Sequence, residues 1–380
     1  MLHVAQISFY LDRERRDPER LLIEWPSLVD IAEAAHSADM RVSVVQAAAR
    51  STYVNRRGVQ YYFLAPQNGA ASIASGDGLS TMLEQLRPDV IHVHGLGFPK
   101  EVLALRRIAP HLPVLLQDHA GNVPRIWRRL VWRRALSTVA AVAFCARAQA
   151  RPFVNARLLP ATMPIHEIPE STSRFTPGDK AGARRNTGVH GNPCVLWVGH
   201  LNDNKDPLTV LDGIARAVRA LPELQMWCCF GTAPRCEEVA ARIDSDPALR
   251  GRVHLIGRVP HGQVEQLMRA ADLFVLGSHR EGSGYAVIEA LACGLPPVIT
   301  DIPSFRALTG GAKVGRLWRC GDPADLSEAL LSIAPTLSDA RVAVREHFDA
   351  QLSSRALGRK LRAAYVDMLR TRRELQSNLS

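Results

Sequence analysis

Two α/β halves, each a mostly parallel sheet covered by helices on both faces, are the fold class this sequence predicts. Three observations carry it. Short apolar runs alternate with helical patterns along most of the chain, and a proline- and glycine-rich stretch interrupts the alternation near its middle. The length of 380 residues also exceeds what one hydrophobic core usually organises.

In the first half the apolar runs read as strands over Val4–Ser8, Val42–Gln46, Val59–Leu64, Val90–Val93, Val114–Gln117 and Val139–Phe144. Helical spacing predicts helices over Ser27–Ser37, Gly78–Leu86, Lys100–Ile108 and Arg125–Leu136, with Ser27 and Asp30 as a helix-start box. From about Pro160 to Asn192, four prolines and Gly178, Gly182, Gly188 and Gly191 break the pattern. A linker with one short helix near Asp179–Arg185 is expected there.

The second half supplies strands over Cys194–Val198, Leu224–Phe230, Val253–Ile256, Leu273–Leu276, Pro297–Thr300 and Val314–Leu317. Helices fit Pro207–Ala220, Arg235–Ile243, Gln263–Ala270, Tyr285–Ala292 and Asp325–Ser332. Asp206 before Pro207 combines a capping carboxylate with a first-turn proline. From Ser338 the chain reads as helical throughout, ending in a basic helix over Arg355–Leu375. The expected organisation is a first domain over 1–170, a linker over 171–192, a second domain over 193–352 and a terminal helix over 353–380.

Hydrophobic residues make up 47% and charged residues 22%, an ordinary globular balance. No apolar run approaches the roughly 20 residues of a membrane span, and the charged stretch from Asp12 to Arg20 is not that of a signal peptide. Seven cysteines, an odd number without a Cys-x-x-Cys pair, predict reduced thiols in a cytoplasmic protein. The net charge of +10 predicts an anionic partner: nucleic acid, a lipid headgroup surface or a phosphorylated small molecule. The densest basic stretch is Arg125–Arg134, where Ile126, Leu130, Trp127 and Trp132 would line a helix beside five arginines. Peripheral membrane contact and a solvated face of a sheet-covering helix both remain open for it.

Ligands on doubly wound sheets bind beyond the carboxyl ends of the strands. There this sequence places His94 and, after Val114–Gln117, Asp118 and His119. A histidine at such a strand mouth can hydrogen-bond a substrate or exchange a proton near neutral pH. The most organised stretch is Ser278–Asp301: a charged, glycine-rich loop with Glu281, then a helix with Glu289, between two strands. Val287, Ile288 and Leu291 can face a sheet while Tyr285 and Glu289 share the other side. Two carboxylates so placed make a binding site for something polar.

Val198-Gly-His-Leu-Asn-Asp-Asn-Lys205-Asp-Pro, Gly257-Arg-Val-Pro and Glu281-Gly-Ser-Gly-Tyr-Ala-Val-Ile-Glu289 together resemble the retaining glycosyltransferases of family 4. The resemblance is strongest over Val195–Asp325. It implies the GT-B fold, two Rossmann-like domains facing a cleft with a C-terminal helix packing back on the first. It implies transfer of a sugar from a nucleoside diphosphate, UDP- or GDP-linked, to an acceptor; the basic first half fits a glycan or lipid-linked acceptor at the inner face of the membrane. Lys205 would meet the diphosphate, Glu281 the sugar hydroxyls, and the amides of Gly282, Ser283 and Gly284 the phosphate or sugar. Glu289 would hold the ribose, the Gly257–Arg258–Val259 turn would touch the base, and Gly199, His200 and Tyr285 would complete the donor site. His119 matches the histidine near the transferred sugar, with His94 and Asp118 on the acceptor side.

Two departures from the family pattern stand out. His200 occupies a position usually held by arginine, and a neutral imidazole does not replace a guanidinium fork. The Phe9–Pro26 loop lacks paired glycines and carries Arg13, Arg15, Arg16 and Arg20. Asp244-Ser-Asp246 has the pattern of a metal-binding triplet from another glycosyltransferase fold but follows a helix end, so a solvated turn is expected. No divalent-metal requirement is therefore expected, and no cofactor beyond the nucleotide sugar itself. Two alternatives stay open: a nucleotide-sugar-binding protein without turnover, and a basic nucleic-acid binder. No recognisable nucleic-acid module supports the latter, so no nucleic-acid partner is expected.

Overall fold

The computed structural model describes residues 1–67 and 70–377, which form two compact units, Met1–Thr172 with Ser354–Ser380, and Ser173–Ser353. The last three residues of the 353–380 segment lie outside the described residues.

In the first unit β1 (His3–Ser8), α1 (Pro18–Glu24), α2 (Pro26–His36) and β2 (Arg41–Ala47) lead to a hairpin of β3 (Thr52–Arg56) and β4 (Val59–Leu64), then α3 (Asp77–Leu86). There follow β5 (Val90–His94), α4 (Pro99–Ile108), β6 (Val114–Gln117), α5 (Arg129–Leu136), β7 (Ala141–Phe144), α6 (Arg151–Asn155) and β8 (Ile165–Glu167). The strands pair in the order β3-β4-β2-β1-β5-β6-β7-β8, parallel except for the hairpin.

The second unit contains α7 (Lys180–Thr187), β9 (Cys194–Val198), α8 (Pro207–Ala217), β10 (Gln225–Cys229), α9 (Cys236–Ser245), β11 (Val253–Gly257) and α10 (His261–Ala270). It continues through β12 (Leu273–Leu276), α11 (Tyr285–Ala292), β13 (Pro297–Thr300), α12 (Pro303–Leu308), β14 (Arg316–Trp318), α13 (Pro323–Ile333) and α14 (Leu337–Gln351). Its sheet is parallel, in the order β11-β10-β9-β12-β13-β14. The final helix, α15 (Ser354–Ser377), belongs to the first unit.

Both sheets reverse direction at their centre. The chain moves outward from β1 to β2 and returns to β5 on the other side of β1; it does the same from β9 through β10 and β11 to β12. Loops leaving the two strands at such a reversal diverge and open a crevice at the carboxyl ends. Strands Leu273–Leu276 and Ala141–Phe144 are buried along their whole length, as expected where helices cover both faces.

α15 closes the first unit through Leu357, Leu361, Ala364, Tyr365 and Met368, a stripe at helical spacing that joins the core around β1, β2 and α2. Gly358 lets it approach, because a Cβ there would stand 2.2 Å from Ala34 O. Gly358→Ala is therefore expected to force α15 away from α2 and cost roughly 1–3 kcal/mol, read as an earlier denaturant midpoint for the first unit.

Several local expectations are corrected. The Phe9–Pro26 loop contains α1, started by Asp17 accepting from Arg20 N at 3.0 Å and by Pro18; its seven residues are too few to show an apolar period. α2 begins at Pro26 without a side-chain cap, and Asp30 instead accepts from Ser171 Oγ at 2.8 Å. Ile126–Arg128 forms a 3₁₀ turn ahead of α5. The β3–β4 hairpin was missed: Arg57 and Gly58 both take positive φ, 50° and 82°, the geometry of a two-residue hairpin turn. The proline-rich stretch also contains β8 as well as a helix, and the chain after Ser338 is broken at Leu352–Ser353, whose N–H groups both donate to Phe348 O.

Candidate functional site

β9 and β12 flank the reversal of the second sheet, and the loops leaving them are tied together. His279 N donates to Asn204 O at 2.8 Å, and Asn204 Nδ2 donates to Arg280 O at 2.9 Å. His279 Nε2 lies 3.1 Å from Asp206 Oδ2. Gly277 permits this approach, since a Cβ there would be 2.8 Å from Lys205 O and 2.9 Å from Val210 Cγ2. Asp206 accepts from Thr209 N at 3.3 Å and starts α8 directly after Lys205, as the sequence predicts.

The two loops meet in an ion pair. Lys205 Nζ lies 2.5 Å from Glu281 Oε1, with the side chains 15% and 14% exposed. Lys205 directly precedes Asp206, the N-cap of α8, and an ammonium together with the positive end of a helix dipole favours an anion. After Glu281, Gly282, Ser283 and Gly284 are buried and turn into α11. Gly284 has φ +86°, and a Cβ there would approach Phe305 Cε1 to 2.7 Å, so the turn requires glycine. No side chain caps α11 from this position.

Val287, Ile288 and Leu291 are fully buried, while Tyr285 is 41% exposed. Glu289, also on the outer side, has Oε1 2.6 Å from His261 Nε2. His261 opens α10 and packs against Phe175 with ring centroids 4.8 Å apart. Gly257 ends β11 with φ +78° and accepts from Phe230 N at 3.0 Å, which sets the Gly257–Val259 turn beside the end of β10 with Arg258 exposed.

Gly199 continues β9, donating to Cys229 O and accepting from Trp197 Nε1, both at 3.1 Å. The next residue, His200, is exposed and its Nδ1 accepts from Thr232 N at 3.1 Å. That bond leaves Nε2 as the N–H donor of a neutral ring. A single neutral donor therefore stands where the family pattern has an arginine fork.

In the first unit, polar side chains gather at the β1–β5 reversal and the neighbouring end of β6. His119 Nε2 lies 3.2 Å from His94 Nδ1, and His119 Nδ1 lies 3.4 Å from Glu170 Oε2. His94 Nε2 faces Gln6 Oε1 at 3.4 Å, and His92 Nδ1 lies 2.8 Å from the Tyr365 hydroxyl on α15. Asp118 is buried and accepts from Gly121 N at 2.8 Å, which shapes the turn that presents His119. In the Phe9–Pro26 segment, Arg16 pairs with Asp12, Glu14 and Glu24, and Arg20 pairs with Glu24. Two of the four arginines there are thus engaged locally.

Burial is the main cause holding His92 down at about 3 and His94 well below the ordinary 6.5; neighbouring histidine charges add to it. Above pH 6.5 neither state of the chain protonates these rings. Below it the unfolded chain takes up protons that the folded unit refuses, so stability falls with pH until about pH 3. Each such proton contributes a slope of up to about 1.4 kcal/mol per pH unit. Thermal unfolding of the first unit is expected to shift to lower temperature below pH 6.5, with a shallower decline in His94→Gln.

The cluster in the second unit takes in Thr232 and His261, and the one in the first unit Glu170 and Gln6, none of which sequence patterns marked. Of these, His261 directly follows the Gly257–Pro260 turn and so carries a local signal. Elsewhere, Asp244 and Ser245 are the last residues of α9 rather than a turn beyond it, and Asp246 at its C-cap pairs with Arg242 at 2.8 Å. The predicted stripe in Arg125–Arg134 is divided. Trp132 is buried and stacks on Phe153, whereas Ile126, Trp127 and Leu130 are 74%, 69% and 70% exposed. All seven cysteines are free, and burial pushes Cys194, Cys228 and Cys293 up to about 12, which makes them poor nucleophiles. Among the described residues, no helix is long and apolar enough to cross a membrane.

Residues 27–169 match the family profile described as Glycosyltransferase Family 4, and residues 192–335 match Glycosyl transferases group 1. A D-inositol 3-phosphate glycosyltransferase of Geodermatophilus obscurus is 32% identical over 185 residues, covering 47% of this chain and 41% of that protein. A GDP-mannose:cellobiosyl-diphosphopolyprenol alpha-mannosyltransferase of Xanthomonas oryzae pv. oryzae is 25% identical over 244 residues, 62% of each chain. The chain thus spans about two fifths to three fifths of these curated relatives. Among solved structures, sucrose-phosphate synthase of Thermosynechococcus elongatus aligns over 98% of this chain and 100% of its own, with TM-score 0.67 and 17% identity. Anabaena HepE in complex with UDP aligns over 96% and 100%, with TM-score 0.70 and 16% identity. These structural likenesses establish the fold.

Proposed function

The chain belongs to glycosyltransferase family 4, and on that premise we propose that it moves a sugar from a nucleoside diphosphate to an acceptor hydroxyl with retention of anomeric configuration. The observation that carries the reading is the Lys205–Glu281 pair, held between two interlocked loops at the strand reversal of the second sheet. Lys205 offers charge to a diphosphate, and Glu281 offers acceptors to sugar hydroxyls. Their pairing keeps both side chains positioned before a donor arrives. Glu289, already accepting from His261, is the acceptor for ribose hydroxyls, and His119, oriented by Glu170, meets the transferred sugar.

In the reaction the bond from the anomeric carbon to the diphosphate oxygen breaks, and its electron pair stays on the diphosphate. The acceptor oxygen bonds to the same face and passes its proton to the departing phosphate, so no protein nucleophile is required. Charge growing on the diphosphate is met by Lys205 and by the N-terminal ends of α8 and α11, interactions that strengthen in the transition state. These fixed donors serve without a divalent metal in this reading, and turnover is expected to survive EDTA. The acceptor is proposed to be lipid-linked or another glycan; the diphosphopolyprenol in one relative's name supports that choice.

His200 in place of arginine favours a second reading, a protein that binds the donor without turning it over. Incubation with a panel of UDP- and GDP-sugars and candidate acceptors, reading nucleotide release and product anomer by NMR, separates the two. Release with a retained anomer is expected. Tight donor binding with no release under any acceptor would move the assignment to the second reading.

A further inference from the structure

We propose that Ile126, Trp127 and Leu130, with the arginines around them, dock the first unit on an anionic lipid bilayer. Three exposed large apolar side chains within five residues are costly to keep in water, and the same helical segment buries Trp132, Ala135 and Leu136 against the core. The burial of one face fixes the other outward. Trp127 is the side chain suited to the boundary between headgroups and acyl chains, and the Arg125 guanidinium already lies 5.3 Å from its ring centroid.

Charge points to the same partner. From His119 to His166 the chain contains eight arginines, no lysine and no acidic residue, a local excess of +8 within a total of +10. Among the described residues, Arg125, Arg128, Arg129, Arg133, Arg134 and Arg157 have no carboxylate partner. Beside Leu130 opens a cavity of about 690 Å³. Leu130, Val154 and Leu158 give it an apolar lining, and Arg133, Arg134 and Arg157 supply cations. An apolar lining with guanidinium groups suits an acyl chain carrying an anionic headgroup. Nucleic acid would engage the arginines and stack on Trp127 but leave Ile126 and Leu130 in water; a bilayer uses all of them. Trp127 follows His119 by only eight residues, so docking would act on the segment leaving that strand end.

The inference does not depend on the transferase reading, and vesicle flotation tests it without turnover. At low salt the full chain is expected to float with phosphatidylcholine vesicles containing phosphatidylglycerol and not with phosphatidylcholine alone. Ile126→Ser/Trp127→Ser/Leu130→Ser should lower the partition coefficient more than tenfold, and Arg133→Gln/Arg134→Gln/Arg157→Gln roughly fivefold per arginine. Both variants should keep the wild-type melting profile and nucleotide-induced thermal shift, which separates lost docking from lost folding or donor binding. No binding to anionic vesicles, or binding undiminished in the apolar variant, would overturn the proposal. Duplex DNA bound more tightly than anionic vesicles by the wild type and the apolar variant alike would also overturn it.

Discussion

Lys205→Ala is expected to lower kcat/KM by roughly 10²–10³, the range seen when one preorganised donor to developing charge is removed. The loss should fall mainly on kcat, because charge on the diphosphate is greater in the transition state than in the bound donor. Lys205→Arg should recover only part of it, since the planar fork does not reproduce a compact ammonium wedged between two loops. A second effect accompanies the first. Glu281 is only 14% exposed and would lose its ion-pair partner, so the second unit should unfold earlier by about 1–3 kcal/mol. Adding Glu281→Gln should restore part of the stability and none of the turnover. Steady-state kinetics and denaturant titration on the two variants separate the roles.

Glu289→Ala should act differently. Loss of a carboxylate that accepts from ribose hydroxyls is expected to weaken nucleoside diphosphate binding about 10- to 100-fold, with a smaller change in kcat at saturating donor. Titration calorimetry with the nucleoside diphosphate alone reads the first part, and initial rates read the second. A Glu289→Ala protein that binds nucleotide as the wild type does would remove this residue from the donor site.

Much of the fold could be read from the chain because strands buried on both faces become uninterrupted apolar runs, as in Leu273–Leu276 and Val114–Gln117. The spacing of Val287, Ile288 and Leu291 likewise marks the side of α11 opposite Glu289 as the buried one. Elements without such a signal were missed: α1 is short and charged, and β8 has three residues. In the candidate site, residue types at loop positions were legible, but partnerships across the chain were not. Lys205 and Glu281 are 76 residues apart, and His92 meets Tyr365 across 273. Helical spacing could not separate Trp127 from Trp132 either. Phe153, on another helix, gives Trp132 a stacking partner and leaves Trp127 outside.

Hydrogen–deuterium exchange on the second unit's peptides, with and without UDP or GDP, tests the central claim most directly. One of the two nucleotides is predicted to slow exchange in Gly199–Asp206 and Ser278–Glu289 together, the loops joined by the Lys205–Glu281 pair, and Glu289→Ala to lose much of that protection. Binding that protects neither loop, or protection centred elsewhere in the chain, would contradict the account.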